Sequence, residues 1–320
     1  MSSAARAASA RRRLRRADRA GNTTLRILCT VAALAACVVI VEIGYQLVHG
    51  SHLALSKFGL DFLTQSAWKP NFDVFGARNL IIGTAISSAM ALVIATPIAI
   101  AIGLYLSMLA PRGVRGVVGA LVEMLAAIPS VIVGFWGILV LNPFLRDHLE
   151  PALHNTFGFL PIFGRPETTG SSIFSAGLIL TIMIVPIIAS VSRDLFLTVP
   201  RELQDGAAAL GATRWEVVRG VVLPSTASGV AAAAFLGLGR ALGEAIAVTQ
   251  VVGAGNELHT SLFETGDTLA SRIANQFAGA TTKLHTASLF YLALILLVIG
   301  LVANLLAQLI AHRFDRQLTR

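Results

Sequence analysis

The stretch "VPRELQDGAAALGATRWEVVRGVVLP", residues 199–224, matches neither of the segments that flank it. Apolar runs lie on both sides, over 173–192 and 226–252, whereas this stretch carries Arg201, Glu202, Asp205, Arg214, Glu216 and Arg219. It is too charged to cross hydrocarbon and too amphipathic for coil. Pro200 suits a first helical turn and Gly211 a C-terminal stop. Thr213 and Glu216 have the spacing of a capping box. The expectation is a helix, a glycine turn and a short second helix, lying at a membrane surface between two spans.

Working outward, apolar segments long enough for about 30 Å of hydrocarbon fall near 27–48, 80–108, 117–141, 173–192, 226–252 and 286–311. Of 320 residues, 55% are hydrophobic and only 13% charged, against about 25% charged in a soluble domain. The fold class is therefore an all-α polytopic membrane protein with six transmembrane helices. Its expected parts are a basic tail (1–26), read as disordered, a first helix (27–49), an outer loop (50–78), a core (79–312) containing the 199–224 loop, and a short tail (313–320).

The net charge of +8 would suggest nucleic acid in a soluble chain, but here its distribution sets topology instead. With the N-terminus inside, seventeen Lys and Arg, "RRRLRR" among them, fall in inner segments and seven in outer loops. The positive-inside bias puts both termini in the cytoplasm, and no nucleic-acid partner is expected. Trp68, Phe72 and Phe75 in the outer loop suit an interfacial belt. The proline-rich segment 142–172 is expected to be irregular, and loop 253–285 has room for a short helix. Cys29 and Cys37 share the first helix, which indicates neither a disulfide framework nor a zinc site. "LAAC" (34–37) looks superficially like a lipoprotein cleavage box, yet the apolar run continues past it, as in an uncleaved anchor.

Several chemistries have no residues to support them. No lysine follows glycine in a GxxxxGK[ST] phosphate loop, and HExxH, CxxC and GxSxG do not occur. His148 and His154 read as surface histidines. No catalytic residues, metal ligands or cofactor are expected. A transporter fits better than an enzyme.

The last interior apolar run contains the sharpest anomaly, Arg240 and Glu244 in "GRALGEAIAVTQVVG" (239–253). Each ion costs about 2.5–3.5 kcal/mol at the centre of a membrane helix on insertion scales. Four residues apart, they would share one helix face and could pair. Two readings stand: a packing pair that locks the helix, or a cation whose paired donors compensate an oxyanion in transit. Gly239 and Gly243, with Gly229, Ala233, Gly237, Ala241 and Ala245, repeat every four residues, which suits close helix contact. Glu42 and Glu123 read as local polar contacts. Pro97, Pro129 and Pro186 are expected to kink or break their helices.

The 199–224 stretch resembles the cytoplasmic signature of ABC-importer permeases: EAA, three residues, Gly, nine residues, Ile, one residue, Leu-Pro. Asp205, Gly206 and Ala207 stand at the EAA positions, Gly211 at the glycine, Val221 at the isoleucine, and Leu223 and Pro224 at the end. Asp for Glu, Gly for Ala and Val for Ile are the departures. The resemblance implies a type I ABC-importer permease fold and a coupling helix, including Glu202, that docks on an ATP-binding subunit. The segments 75–107, 121–137, 182–196 and 239–253 further resemble the phosphate-specific importers, and their C-type rather than A-type permease. That implies an A-type permease partner, two ATP-binding cassette subunits, an extracytoplasmic phosphate-binding protein, phosphate as substrate, a bacterial plasma membrane, and transport roles for Arg240 and Glu244. A permease for sulfate or molybdate, a secondary transporter and, more remotely, a membrane-embedded enzyme are the alternatives.

Overall fold

The computed structural model describes the backbone of residues 3–257 and 260–318, and side chains over 22–310 except at 112, 258 and 259. Among the described residues six helices are long and apolar enough to cross a membrane, and no strand occurs beyond one bridge between Lys69 and Val74. The chain divides into two units, residues 1–50 and 51–320.

The first unit is a single helix, the greater part of α1 (Ser3–Phe58). The basic tail thus has helical backbone where disorder was expected. Glu42 accepts a hydrogen bond from Gln46 Nε2 at 2.9 Å, one turn along, so its polar partner is local. The helix also outlasts its expected end near 49. Gly50 does not stop it; the helix ends only before Gly59, which adopts φ +52°, and in the second unit Ala54 and Phe58 pack into a core cluster.

That second unit is built around α2 (Arg78–Leu109) and α5 (Ile173–Thr198). The faces between them are small: Ala91, Ala95 and Ala99 are fully buried, and a Cβ on Gly103 would lie 3.1 Å from the Arg193 backbone nitrogen. Ile179, Leu180, Ile184 and Ile188 of α5 fill the centre. Close approach of small-residue faces is how membrane helices gain dispersion contact without a hydrophobic driving force. Pro97 and Pro186 break neither helix; both stay α-helical through the proline.

Pro129 does break one. The span expected at 117–141 is two helices, α3 (Arg112–Ala127) and α4 (Ser130–Phe157), with Ile128 and Pro129 extended between them. The segment expected to be irregular from 142 is helical to Phe157. Pro143 and Pro151 each sit in the first turn after a wider π-type turn (Gly137–Leu141 and Leu145–Leu149), which absorbs the hydrogen bond that proline cannot donate.

The rest of the chain forms α6 (Arg201–Ala209), α7 (Arg214–Gly243), α8 (Ile246–Val251), α9 (Leu269–Gln276) and α10 (Lys283–Leu318). Trp68 and Phe75 do not present their rings outward as a belt would: they are buried with Phe62, Tyr291 and Leu292 in a cluster against α10. Trp68 Nε1–H donates to Gln276 Oε1 at 2.8 Å and Phe75 stacks on His285, while Phe72 alone of the three is exposed.

Candidate functional site

Two interruptions of helical backbone meet around Arg240. The first is Ile128–Pro129. The second follows α7, which stops at Gly243; Glu244 is extended (ψ 114°), and α8 starts two residues later. The continuous span expected over 226–252 is therefore broken, and Arg240 and Glu244 do not share one helix. Among the described residues no ion pair joins them. Gly243 is the weak link, being costly in a helix by about 1 kcal/mol relative to alanine. Glu244 turns its carboxylate instead to the backbone of α8, where Oε1 accepts from the Ala247 N–H at 3.3 Å.

The segments beyond the two breaks pack on each other. A Cβ on Gly134 of α4 would lie 2.9 Å from Ala247 Cα, and one on Gly137 would lie 2.7 Å from Val251 Cγ1. Glycine at these positions brings α4 and α8 together. Arg240 is exposed on α7 beside them. It borders a small void with Ala126, Ile128, Val133 and Met183, and also a cleft of about 660 Å³ between α7 and α10. Irregular backbone inside a membrane protein is tolerated where it is buried in protein or lines a watery cavity.

The small residues of α7 divide into two faces. Ala233, Gly237 and Ala241 are buried; Gly229 packs against Leu195, and a Cβ on Gly237 would come 2.8 Å from Ile188 Cδ1. Gly239 and Gly243, whose GxxxG spacing suits helix contact, have open space at their Cβ positions. The repeat that packs within the chain is 229/233/237/241.

The 199–224 stretch folds as its spacing predicts through the glycine turn and the capping box, but its second helix is not short: it runs on from Arg214 as α7 to Gly243. The Ala212 N–H donates to the Ala207 carbonyl at 3.1 Å and the Gly211 N–H to the Ala208 carbonyl at 3.0 Å, closing α6 with a Schellman turn at φ +91°. Thr213 and Glu216 form the capping box, with the Thr213 N–H donating to Glu216 Oε2 at 2.7 Å. Glu202, Asp205 and Gly206 are exposed, and Ala207 is half-buried. Val221 and Leu223 point the other way, packing with Phe196, Val199 and Val222, and Pro224 sits in the turn that carries the chain into the bundle. The eight expected coupling residues thus separate into an outward set, an anchoring set, and Gly211 at the turn between them. Leu203, Leu210 and Trp215 are large, apolar and exposed on the same loop, Leu210 at 91%. Sequence spacing alone did not single them out, although an apolar residue beside a glycine turn is a usable signal.

Two polar networks brace the bundle. Glu123 Oε1 meets Arg193 Nη2 at 3.0 Å, joining α3 to α5, and Arg115 Nη2 donates to the Ser107 carbonyl. At the other end Asp267 Oδ2 and Arg272 Nε pair at 2.6 Å with side chains 1% and 3% exposed. Arg272 also donates to Asn256 Oδ1 and the Gly255 carbonyl and lies over the Trp68 ring. Burial pushes the Asp267 carboxyl above its ordinary range, and Arg272 pulls it back.

Residues 95–316 match the family described as binding-protein-dependent transport system inner membrane component. A phosphate transport system permease protein PstC from Pasteurella multocida is 44% identical over 277 residues, covering 85% of this chain and 86% of its own. A PstC from Mesorhizobium japonicum is 42% identical over 288 residues, covering 89% and 88%. A PstC 2 from Mycobacterium tuberculosis is 38% identical over 303 residues, covering 92% and 93%. A crystal structure of a bacterial alginate ABC transporter, 21% identical, superposes with a TM-score of 0.56 over 89% of this chain and 95% of its own, which shows a shared fold. This chain is thus a six-span ABC-importer permease and belongs to the binding-protein-dependent transport family, among its PstC phosphate transport system permeases.

Proposed function

We propose that this chain is the C-type transmembrane permease of an ATP-driven importer of inorganic phosphate. It forms half of the translocation path and carries no ATPase of its own. In this reading both termini and the 199–224 loop face the cytoplasm of a bacterial plasma membrane, as the distribution of Lys and Arg favours. An A-type permease completes the pore, two ATP-binding cassette subunits dock beneath it, and a phosphate-binding protein delivers the anion outside.

The observation that carries the reading is the meeting of both backbone breaks at Arg240, an exposed guanidinium beside a cleft in an otherwise apolar span. Phosphate crossing hydrocarbon needs its charge compensated, and a guanidinium offers two parallel donors to two phosphate oxygens. A deep cage of cations would hold the ion; one arginine open to a cleft lowers the barrier and lets it go. Glu244 contributes differently from a counter-ion on the same helix. By accepting from the Ala247 N–H it holds the start of α8 and adds negative charge near the path, which limits how tightly Arg240 keeps phosphate.

The loop transmits work from the ATPase. Glu202, Asp205 and Gly206, with Ala207 beneath, form the docking face, Leu210 and Trp215 extend it, and Gly211 sets its turn. Val221, Leu223 and Pro224 carry a push on that face into α7, the helix that bears Arg240. Closure of the nucleotide-binding subunits would then rock α7 and change access to Arg240 from one side of the membrane to the other.

Labelled-phosphate uptake by the assembled importer, measured with sulfate and molybdate as competitors, tests the substrate. ATP-dependent uptake that ignores both competitors is expected. Uptake blocked by either would overturn phosphate and leave an importer of another oxyanion.

A further inference from the structure

The last helix carries two amides that the functional reading has not used. On α10 Gly300, Ala303, Asn304, Ala307 and Gln308 line the cleft that Arg240 borders. The neighbouring face of the same helix is large and apolar: Leu301, Val302, Leu305, Leu306 and Leu309 are all exposed. Positions three and four apart share a helix face, so α10 separates a small-and-polar strip from a lipid-suited one over the same three turns. Asn304 and Gln308 are exposed and have no hydrogen-bond partner among the described residues, and the same holds for Arg240. Polar side chains within a membrane span face the bundle interior or a water-filled cavity, and the amides face the cleft that contains the arginine. The cleft holds about 660 Å³, ample for an oxyanion with part of its water. Its small-residue wall leaves the polar groups accessible, because Gly239 and Gly300 have nothing within 4 Å of a Cβ position.

We infer that Asn304 and Gln308 are substrate-path residues, whose amide N–H groups donate to oxyanion oxygens as the anion passes Arg240. The inference rests on the reading of Arg240 as a path residue. Arginine supplies the charge, and the amides supply neutral donors one and two turns along the exit. A row of weak neutral donors replaces water of hydration without adding cations that would trap the ion.

The test uses the full importer with Cys29→Ser and Cys37→Ser in this chain. Asn304→Cys, Gln308→Cys and, as lipid-facing controls on α10, Leu301→Cys and Leu305→Cys are treated with an anionic methanethiosulfonate in membranes open on both faces. Labelling at 304 and 308 is expected to be on the order of tenfold faster or more than at 301 and 305, since a charged reagent enters hydrocarbon poorly. Millimolar phosphate should slow it. In parallel, Asn304→Leu and Gln308→Leu are expected to lower the maximal uptake rate by about tenfold each, the scale of a hydrogen bond to a charged group, with assembly unchanged. Asn304→Asp, equal in shape, should lower it further by repelling the anion. Labelling at 304 and 308 no faster than at 301 and 305, or full uptake in both leucine variants while Arg240→Gln is inactive, would overturn this inference alone. Uptake that survives Arg240→Gln would overturn the reading beneath it.

Discussion

Helix α7 has two faces that both use glycine, and the glycines differ in what they do. Its inward face runs from Val217, Val218 and Val222 through Val230 and Ala233 to Gly237 and Ala241, all buried. Its outward face runs from Trp215 at the loop to Gly239, Arg240 and Gly243, all exposed. Glycines occur on both. On the inward face glycine is where another helix comes too close for a side chain; on the outward face it leaves room beside a charged group. Spacing alone cannot tell these uses apart, because what decides is the neighbour across the gap.

The comparison sharpens most under Gly237→Leu. With Ile188 Cδ1 2.8 Å from where even a Cβ would sit, the substitution should cost at least about 1–3 kcal/mol from overpacking. Thermal unfolding of the detergent-solubilised complex should show a clearly lower midpoint; an unchanged midpoint would mean that the inward face is not packed. The loop offers a smaller folding effect. Gly211→Ala forces a side chain into φ +91° and should cost about 1–2 kcal/mol, read as a smaller loss in the same assay. Trp215→Ala touches the outward face, where substitutions stay within about 0.5 kcal/mol of neutral. Its midpoint should barely move while ATP hydrolysis loses its stimulation by the binding protein; normal stimulation would remove Trp215 from the docking face. Gly239→Ala should be the mildest of the four, since a methyl there meets nothing within 4 Å. A large loss of assembled protein would show that a partner helix seats on that face.

Much of this was legible in the sequence. Six apolar runs match six spans in number, though the third lies at Ser130–Phe157 beyond the Pro129 break; the 199–224 stretch announced its helix, glycine turn and cap, but not that the capped helix runs on to Gly243, because caps and turns are local chemistry and span lengths are not. The missed features are decided over a distance. Pro97, Pro129 and Pro186 look alike in their apolar runs, yet only Pro129 ends a helix; Pro186 is buried in the middle of α5, while Pro97 is exposed on α2 and its helix runs through it all the same. The Arg240–Glu244 pair was the natural reading of i,i+4 spacing, and it fails because the backbone opens at Gly243, just before the acid. The cleft that gathers Asn304 and Gln308 beside Arg240 brings together residues more than sixty positions apart, and no periodicity reports that. The short helix expected in loop 253–285 is there and carries Arg272, but its ion pair with Asp267 was not foreseen, and the cover from Trp68 depends on a segment about two hundred residues earlier.

The central claim is that Arg240 serves the passing anion and not the packing of the bundle. The most direct measurement is labelled-phosphate uptake by the importer carrying Arg240→Gln, with the amount of assembled complex in the same membranes determined by co-purification of its subunits. The account predicts wild-type assembly with uptake lost. Wild-type uptake would contradict it outright, and loss of the assembled complex together with uptake would return Arg240 to a structural role.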